Sequence, residues 1–253
     1  MNDSELAAAI AEFAAARARD DYFPAAWEGR LSLDDAYRIQ LGLIAARGAQ
    51  RVGWKVGLTS RAIQQQFAVH EPVFGCLLAD GRLDSFHVFQ SEALIAPGFE
   101  NELCIVMGGD LAPGATFDDV AAAIDRVHPA FEIIETRGDL TAQLALALAD
   151  NAQQKAFVLG PAVARAALPA LDQVRVRVSI NGEEVASGEG SAVLRHPYHS
   201  VTWLAAKLAP FGERVKAGDF IMSGSFTRQF PLRRGDRIAA DFAGIGTVTA
   251  SAV

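Results

Sequence analysis

The sequence predicts an α+β chain in which a helical N-terminal section, residues 1–50, precedes a β-rich core, residues 51–253, the two read together as a single structural domain. Three observations predict this class. Apolar residues recur with helical spacing within the first fifty residues. Beyond them, short β-branched runs follow one another closely, separated by Gly, Pro and Asp. Those runs do not alternate regularly with helices, as a doubly wound parallel sheet requires. The chain has 253 residues, 51% of them hydrophobic, enough for a sizeable core, and it has no internal repeat or low-complexity linker.

The elements follow in order. Residues 5–18 read as a helix with Ser4 as N-cap, broken by Pro24 and Gly29. A second helix begins near Ser32. Asp34 and Asp35 lie in its first turn, Ala36, Ile39, Leu43 and Ile44 on its apolar face, and its end is near Gly48. Residues 51–58 predict a strand, 60–67 a short helix and 103–107 a buried strand. Residues 117–127 predict a helix, and 130–136 a strand initiated by Pro129. An apolar helix is expected over 140–149. Strands at 174–180 and 184–187 flank Asn181-Gly182, a strong hairpin signal. A helix over 201–208, ended by Pro210, and strands near 219–223, 236–242 and 246–250 complete the chain.

Charge and cysteine content exclude several functions. The net charge is −7, and an acidic chain repels nucleic acid and anionic membrane. Such a chain can instead use carboxylates to hold a cation. Cys76 and Cys104 are too few for a disulfide framework and read as reduced thiols of a cytoplasmic protein. The start of the chain is acidic where a signal peptide is basic. No apolar run approaches the roughly 18 residues of a membrane helix. Phosphate-binding glycine loops, nucleophile elbows and His-Glu-x-x-His zinc motifs are absent.

Glu100 and Glu102 are two residues apart and lead into an apolar run, so in a strand they share one face. They lie either at a solvated strand end or beside a neutralising hard cation such as Mg²⁺. Pro129-Ala130-Phe131-Glu132-Ile133-Ile134-Glu135 repeats this pattern, with Glu132 and Glu135 on opposite faces. If Glu132 faces the first pair, three carboxylates form one side of an octahedral site, while Glu135 is free to pair with Arg137. Lys55, between Gly53 and Gly57, either snorkels out beside Trp54 or reaches a charged partner in a cavity. Asp150-Asn151 reads as a helix boundary, and His196 as a surface or capping residue. Ser223-Gly224-Ser225-Phe226-Thr227-Arg228 is a loop of a kind that hydrogen-bonds carboxylates, and is also a common turn.

Taken in order, these segments resemble a known family. Gly53-Trp54-Lys55-Val56-Gly57-Leu58-Thr59 is similar to its Gly-x-Lys-x-Gly-Leu-Thr segment, and Glu71-Pro72-Val73-Phe74-Gly75 to its Pro-x-Tyr/Phe-Gly element. Glu100-Asn101-Glu102 and Pro129-Ala130-Phe131-Glu132-Ile133 resemble its two metal-ligand strands. Asp150-Asn151-Ala152, Trp203-Leu204-Ala205 and Gly224-Ser225-Phe226-Thr227-Arg228 follow in the expected order. The family is the 2-keto-4-pentenoate hydratase and 4-oxalocrotonate decarboxylase branch of the fumarylacetoacetate hydrolase superfamily. The resemblance runs from about Asp35 to the C-terminus.

The resemblance implies a mixed β-sandwich roll and Mg²⁺ or Mn²⁺ held by Glu100, Glu102 and Glu132. It also implies a small 2-oxo acid substrate and a homo-oligomer. It places Lys55 in the site as an acid/base or carboxylate-binding group, with Asp80 on the site wall. Ser225, Thr227, Arg228 and Asn151 are expected to bind substrate. The reaction implied is metal-dependent hydration of a 2-hydroxy-2,4-dienoate, as in meta-cleavage-type aromatic catabolism. A 4-oxalocrotonate-type decarboxylase and a non-catalytic oxo-acid-binding paralogue stay open as alternatives. Gln153-Gln154-Lys155 stands where the family has small residues, and Glu135 where aspartate is commoner.

Overall fold

The computed structural model describes residues 1–253, the side chain of Ala62 excepted. It is an α+β chain, as the sequence predicts. Two helices open it, α1 (Asp3–Arg17) and α2 (Leu33–Ala46). The N-cap of α1 is Asn2, not Ser4. Asn2 Oδ1 accepts from the Glu5 backbone N–H at 3.0 Å and Glu5 returns the bond at 2.9 Å, so two end donors are satisfied reciprocally. Ser32 caps α2, and the apolar positions Ala36, Ile39, Leu43 and Ile44 are all buried. Tyr37 on the same face stacks on Phe74 with ring centroids 4.0 Å apart. Burying each large side chain of this face contributes about 1.5–3 kcal/mol.

Fourteen strands follow. A mixed sheet contains β1 (Arg51–Gly57), β2 (Val73–Leu78), β3 (Arg82–Asp84), β5 (Pro97–Met107), β6 (Ile124–Glu135), β7 (Gln154–Leu159) and β11 (Phe220–Met222). Its order is β2-β1-β11-β5-β6-β7-β3, with β8 (Val163–Ala164) on β6 and β12 (Phe230–Pro231) on β5. β2 touches β7, so this sheet curls back on itself as a roll. The side chain of Asn151 closes the seam: its Oδ1 accepts from Cys76 N at 2.7 Å and its Nδ2 donates to Cys76 O at 2.9 Å. The second sheet has the order β10-β9-β13-β14-β4, from β4 (His87–Phe89), β9 (Arg175–Ile180), β10 (Glu183–Glu189), β13 (Arg237–Phe242) and β14 (Gly246–Ala252). It packs on β6 and β7 through β13 and β14. The expected β9–β10 hairpin turns at Asn181 and Gly182, with φ of 56° and 87°.

Strands β2, β3, β4, β7, β8 and β12 were not anticipated from the sequence, and five predicted elements have different bounds. β5 begins at Pro97, not Leu103, so Glu100 and Glu102 lie within the strand. Helix α4 (Phe117–Ala123) stops four residues early, because Ile124 and Arg126 pair with Met107 and Val106 of β5. There, sheet pairing of β-branched Ile124 and Val127 overrides helical spacing. Pro129 is therefore internal to β6. Its carbonyl accepts from Gly160 N at 2.8 Å, so its nitrogen faces the same edge, in the gap between β7 and β8 where no ladder bond needs an N–H. Helix α5 (Leu144–Ala149) starts late because Asp139 Oδ1 accepts from Thr141 N and Ala142 N, turning the backbone away from a helix. Helix α3 (Arg61–Gln66) lies where expected, whereas α6 (Pro197–Leu208) starts four residues early, at its His196 cap. His196 Nδ1 accepts from Tyr198 N at 3.1 Å.

Alternation along the strands divides the roll. On β5, Phe99, Leu103, Ile105 and Met107 join the large core between roll, helices and second sheet. Cys104 and Val106 join a smaller core with Leu77, Ala130, Phe157, Leu159, Phe220 and Met222. This smaller core fills the concave side of the roll. Glu100, Glu102, Glu132 and Lys55 share the parity of that side and form its polar mouth.

Candidate active site

The register of β5 and β6 builds the centre. Glu100 lies directly opposite Glu132, and Glu102 is one same-face position further along β5. One carboxylate oxygen from each of the three lies within 4.8 Å of the others. Among the described residues these three form the group of side chains suited to a metal ion. Glu102 and Glu132 are buried and Glu100 is half-buried. Burial, followed by the neighbouring Glu132 charge, pushes the Glu100 carboxyl up to about 7, and Glu102 is raised by the same two causes.

Lys55 stands three strands from Glu132 in sheet order, yet its Nζ is 3.3 Å from Glu132 Oε1. The two groups therefore meet across the concave side. Gly75, beside Lys55 on β2, keeps that path open: a Cβ there would sit 3.2 Å from Lys55 Cε and 3.1 Å from Asn151 O. Burial lowers the Lys55 pKa, but Glu132, Glu100 and Glu102 together raise it more, so the net shift is upward. The amine is held as an ammonium rather than as the base that a depressed pKa would make it.

The donor set fits a hard divalent cation. Lys55 Nζ pairs with Glu132 Oε1, whereas Glu132 Oε2 and Glu102 Oε1 are buried and have no hydrogen-bond partner. Buried carboxylate oxygens left this way are costly unless a cation takes them. Three oxygen ligands would leave the other positions of an octahedral shell to substrate or water. The remaining Glu102 oxygen, Oε2, accepts from Gly224 N at 2.8 Å, which sets the plane of that carboxylate. Gly224 has φ of 111°, and a Cβ there would fall 2.5 Å from Thr59 Oγ1.

The other residues expected in the site are placed differently. Ser225 Oγ donates to Asn101 O at 3.3 Å, and Thr227 Oγ1 accepts from Asn101 Nδ2 at 2.5 Å and donates to Arg228 O at 3.0 Å. Arg228 lies over Phe230, 4.1 Å from the ring centroid, with Nη1 on Gln229 O. Asn151 is committed at both ends of its amide to the β2–β7 seam. Asp80 is exposed and lines a separate cavity of about 300 Å³ with Arg17, Arg47 and Arg137, which neither Lys55 nor the three glutamates line. Thus Lys55 and the glutamates come together, and the 223–228 loop reaches them through the Gly224 backbone. Glu135 pairs with Arg137 at 2.9 Å, the alternative its strand face allowed.

The Ser223–Arg228 loop was expected from the sequence to hold a carboxylate through its backbone N–H groups and hydroxyls, and it does so at Gly224; that Glu102 is the carboxylate and that Thr59 packs behind Gly224 was not specified by residue type.

Comparison with known proteins agrees with this geometry. Residues 83–253 match the family model for the fumarylacetoacetate (FAA) hydrolase C-terminal domain. The chain is 37% identical over 227 residues to 2-hydroxyhexa-2,4-dienoate hydratase of Comamonas testosteroni, covering 86% of this chain and 85% of the relative. It is 36% identical over 225 residues to 4-oxalocrotonate decarboxylase of Pseudomonas putida, covering 87% and 85%. The crystal structure of 4-oxalocrotonate decarboxylase from Pseudomonas putida G7, complexed with magnesium and adipate, superposes with a TM-score of 0.91 at 33% identity. That match covers 100% of this chain and 99% of the other. The chain therefore belongs to the fumarylacetoacetate hydrolase family, in the branch that contains the 2-keto-4-pentenoate hydratases and 4-oxalocrotonate decarboxylases.

Proposed function

We propose that this chain is a divalent-metal-dependent hydratase, a carbon–oxygen lyase, that adds water to a 2-hydroxy-2,4-dienoate formed by meta-cleavage of an aromatic ring. The observation that carries this reading is the convergence of Glu100, Glu102 and Glu132, with buried unpartnered oxygens on Glu102 and Glu132 and the Lys55 ammonium 3.3 Å from Glu132 Oε1. The reading takes Mg²⁺, or Mn²⁺, as the ion and a small 2-oxo acid as the substrate. It also takes a homo-oligomer in the cytoplasm as the working form.

Glu100, Glu102 and Glu132 hold the ion, and Gly224 N–H orients Glu102. When bound, the ion supplies a Lewis acid for the substrate's C1 carboxylate and C2 oxygen. The dienol loses its O2 proton and gains one at the far end of the diene, giving a conjugated 2-oxo-3-enoate. Water then adds at C4, its oxygen forming the new C–O bond and a proton passing to C3, to give a 4-hydroxy-2-oxo acid. Lys55 orients the carboxylate end or hands over a proton, the roles open to an ammonium at this position.

A second reading, decarboxylation of a 4-oxalocrotonate-type acid, is favoured by the TM-score of 0.91 to a decarboxylase. One assay separates the two. The protein with Mg²⁺ is incubated with 2-hydroxypenta-2,4-dienoate or 4-oxalocrotonate, and dienol absorbance and CO₂ release are followed. Loss of absorbance without CO₂ supports the hydratase, and CO₂ release supports the decarboxylase. Bound metal with no turnover of either acid or of longer homologues contradicts both.

A further inference from the structure

We infer that the cavity between α2 and the β2–β7 seam is a second binding site, outside the roll, for a small carboxylic acid with an apolar body. The cavity holds about 300 Å³. That is the lower end of the range for small-molecule sites, about 300–1,000 Å³. Leu43, Ile44, Leu78, Leu83, Phe89 and Leu94 give it an apolar lining. These side chains belong to or pack against the large core, not the concave one beside the glutamates. Arg17, Arg47, Arg137 and Lys155 line it as well. Among the described residues, Asp80 is its one lining carboxylate.

A donor in this cavity has no partner. Gln154 lines it and is 6% exposed, and its Nε2 is buried without a hydrogen bond. Gln154 Oε1 accepts from Asn151 Nδ2 at 3.5 Å, and Asn151 also lines the cavity, so the amide end of Gln154 lies at its wall. A buried N–H left unmade is costly, and an acceptor on a ligand removes that cost. The turn that brings the two amides together is strained. Asn151, Ala152 and Gln153 have φ of 58°, 49° and 60°, a left-handed run that side chains oppose.

Charge points to a monoanion. Asp150 pairs with Arg17 at 2.6 Å and with Arg137 at 2.5 Å, and Glu135 pairs with Arg137 at 2.9 Å and with Lys155 at 3.4 Å. Among the described residues, Arg47 and Asp80 have no oppositely charged group within 4.0 Å. Four cations therefore meet three carboxylates, and one positive charge is left over. The Arg137 side chain is 1% exposed, so part of this charge is fixed in the protein interior. Burial, opposed by Asp150 and reinforced by Arg137 and Arg47, lowers the Arg17 pKa, as crowded cations do. A carboxylate on an apolar body matches the surplus charge, the spare N–H and the apolar lining together. Inorganic phosphate would leave the apolar lining unfilled, and an uncharged molecule would leave the surplus cation unmatched.

The test titrates benzoate, benzamide and inorganic phosphate into the full-length protein by calorimetry, Mg²⁺-loaded and after EDTA. Benzoate should bind in both states, and more tightly than benzamide by roughly tenfold or more, the scale of a charge-assisted hydrogen bond. Phosphate should bind more weakly than benzoate. Arg47→Met and Gln154→Leu should each weaken benzoate by roughly tenfold, and Asp80→Asn should tighten it. Arg47 and Asp80 are exposed, so these two changes spare the fold, which a thermal melt checks, and they decide the matter if Gln154→Leu does not fold. Benzoate affinity that Glu132→Gln abolishes and Arg47→Met leaves intact would put the acid at the glutamates and overturn the inference. Absence of benzoate binding at millimolar concentration, or equal binding of benzamide or phosphate, overturns it as well. None of these readings uses turnover, so they stand apart from the test of the hydratase.

Discussion

The chemistry at the residue scale depends on side chains that only a cation reconciles. Lys55→Met removes the ammonium that faces Glu132 and should lower kcat by about 10²–10⁴-fold, the range for a positioned proton-transfer group, with bound metal retained. Steady-state kinetics together with metal content by atomic spectroscopy check this. Gly224→Ala forces a Cβ against Thr59 at φ 111°. It should destabilise the fold by about 1–3 kcal/mol. By displacing the N–H that orients Glu102, it should also weaken metal binding by about 10–100-fold, as loss of an outer-shell partner does. Chemical denaturation and metal titration measure the two effects separately. The three glutamates were legible through the ordered family resemblance, since Glu-x-Glu entering an apolar run also reads as a solvated strand end, and the structure brings the three together. That Gly224, backed by Thr59, orients Glu102 was not legible, because it depends on which loops meet at the mouth of the roll.

The elements were legible where local pattern and tertiary pairing agree. The apolar face of α2 and the Asn181-Gly182 hairpin needed no distant partner to be recognised. The β6 strand did: its first residues carry helical spacing and its middle carries a proline, and only β5 on one side and the β7–β8 gap on the other make a strand of it. The seam at Asn151 was equally hidden, since its amide acts on Cys76, 75 positions away. β6 also makes a pH prediction. Burial lowers the His128 pKa below its ordinary 6.5, outweighing the hydrogen bond between Nδ1 and Gly160 O. The unfolded chain therefore takes up this proton before the folded one does. The contribution of neutral His128 is complete above pH 6.5 and is lost as pH falls from there through the folded pKa. Denaturation midpoints measured from pH 7.5 down to 5 should fall, and less steeply in His128→Asn.

For the whole molecule, the helical section is bound to the roll by charge as well as by packing. Asp150 at the end of α5 accepts from Arg17 of α1 at 2.6 Å and from Arg137 at 2.5 Å. The acidic surplus of the sequence thus divides between such buried pairs, the metal ligands and the surface. One surface feature bears on assembly. Phe86 is 82% exposed and Val88 47%, on the β4 edge of the second sheet. Apolar side chains on an open edge strand suit a partner copy. Analytical ultracentrifugation should find a homo-oligomer, and Phe86→Glu should shift it toward smaller species.

If Glu100, Glu102 and Glu132 hold the ion on which water addition depends, four samples mixed with dienoate substrate will differ in dienol absorbance and CO₂: Mg²⁺-loaded protein, the same protein after EDTA, EDTA-treated protein resupplied with Mg²⁺, and Glu132→Gln. Absorbance should fall without CO₂ in the first and third samples and stay constant in the second and fourth. Turnover that survives both EDTA and Glu132→Gln would show that the glutamates do not hold a catalytic ion.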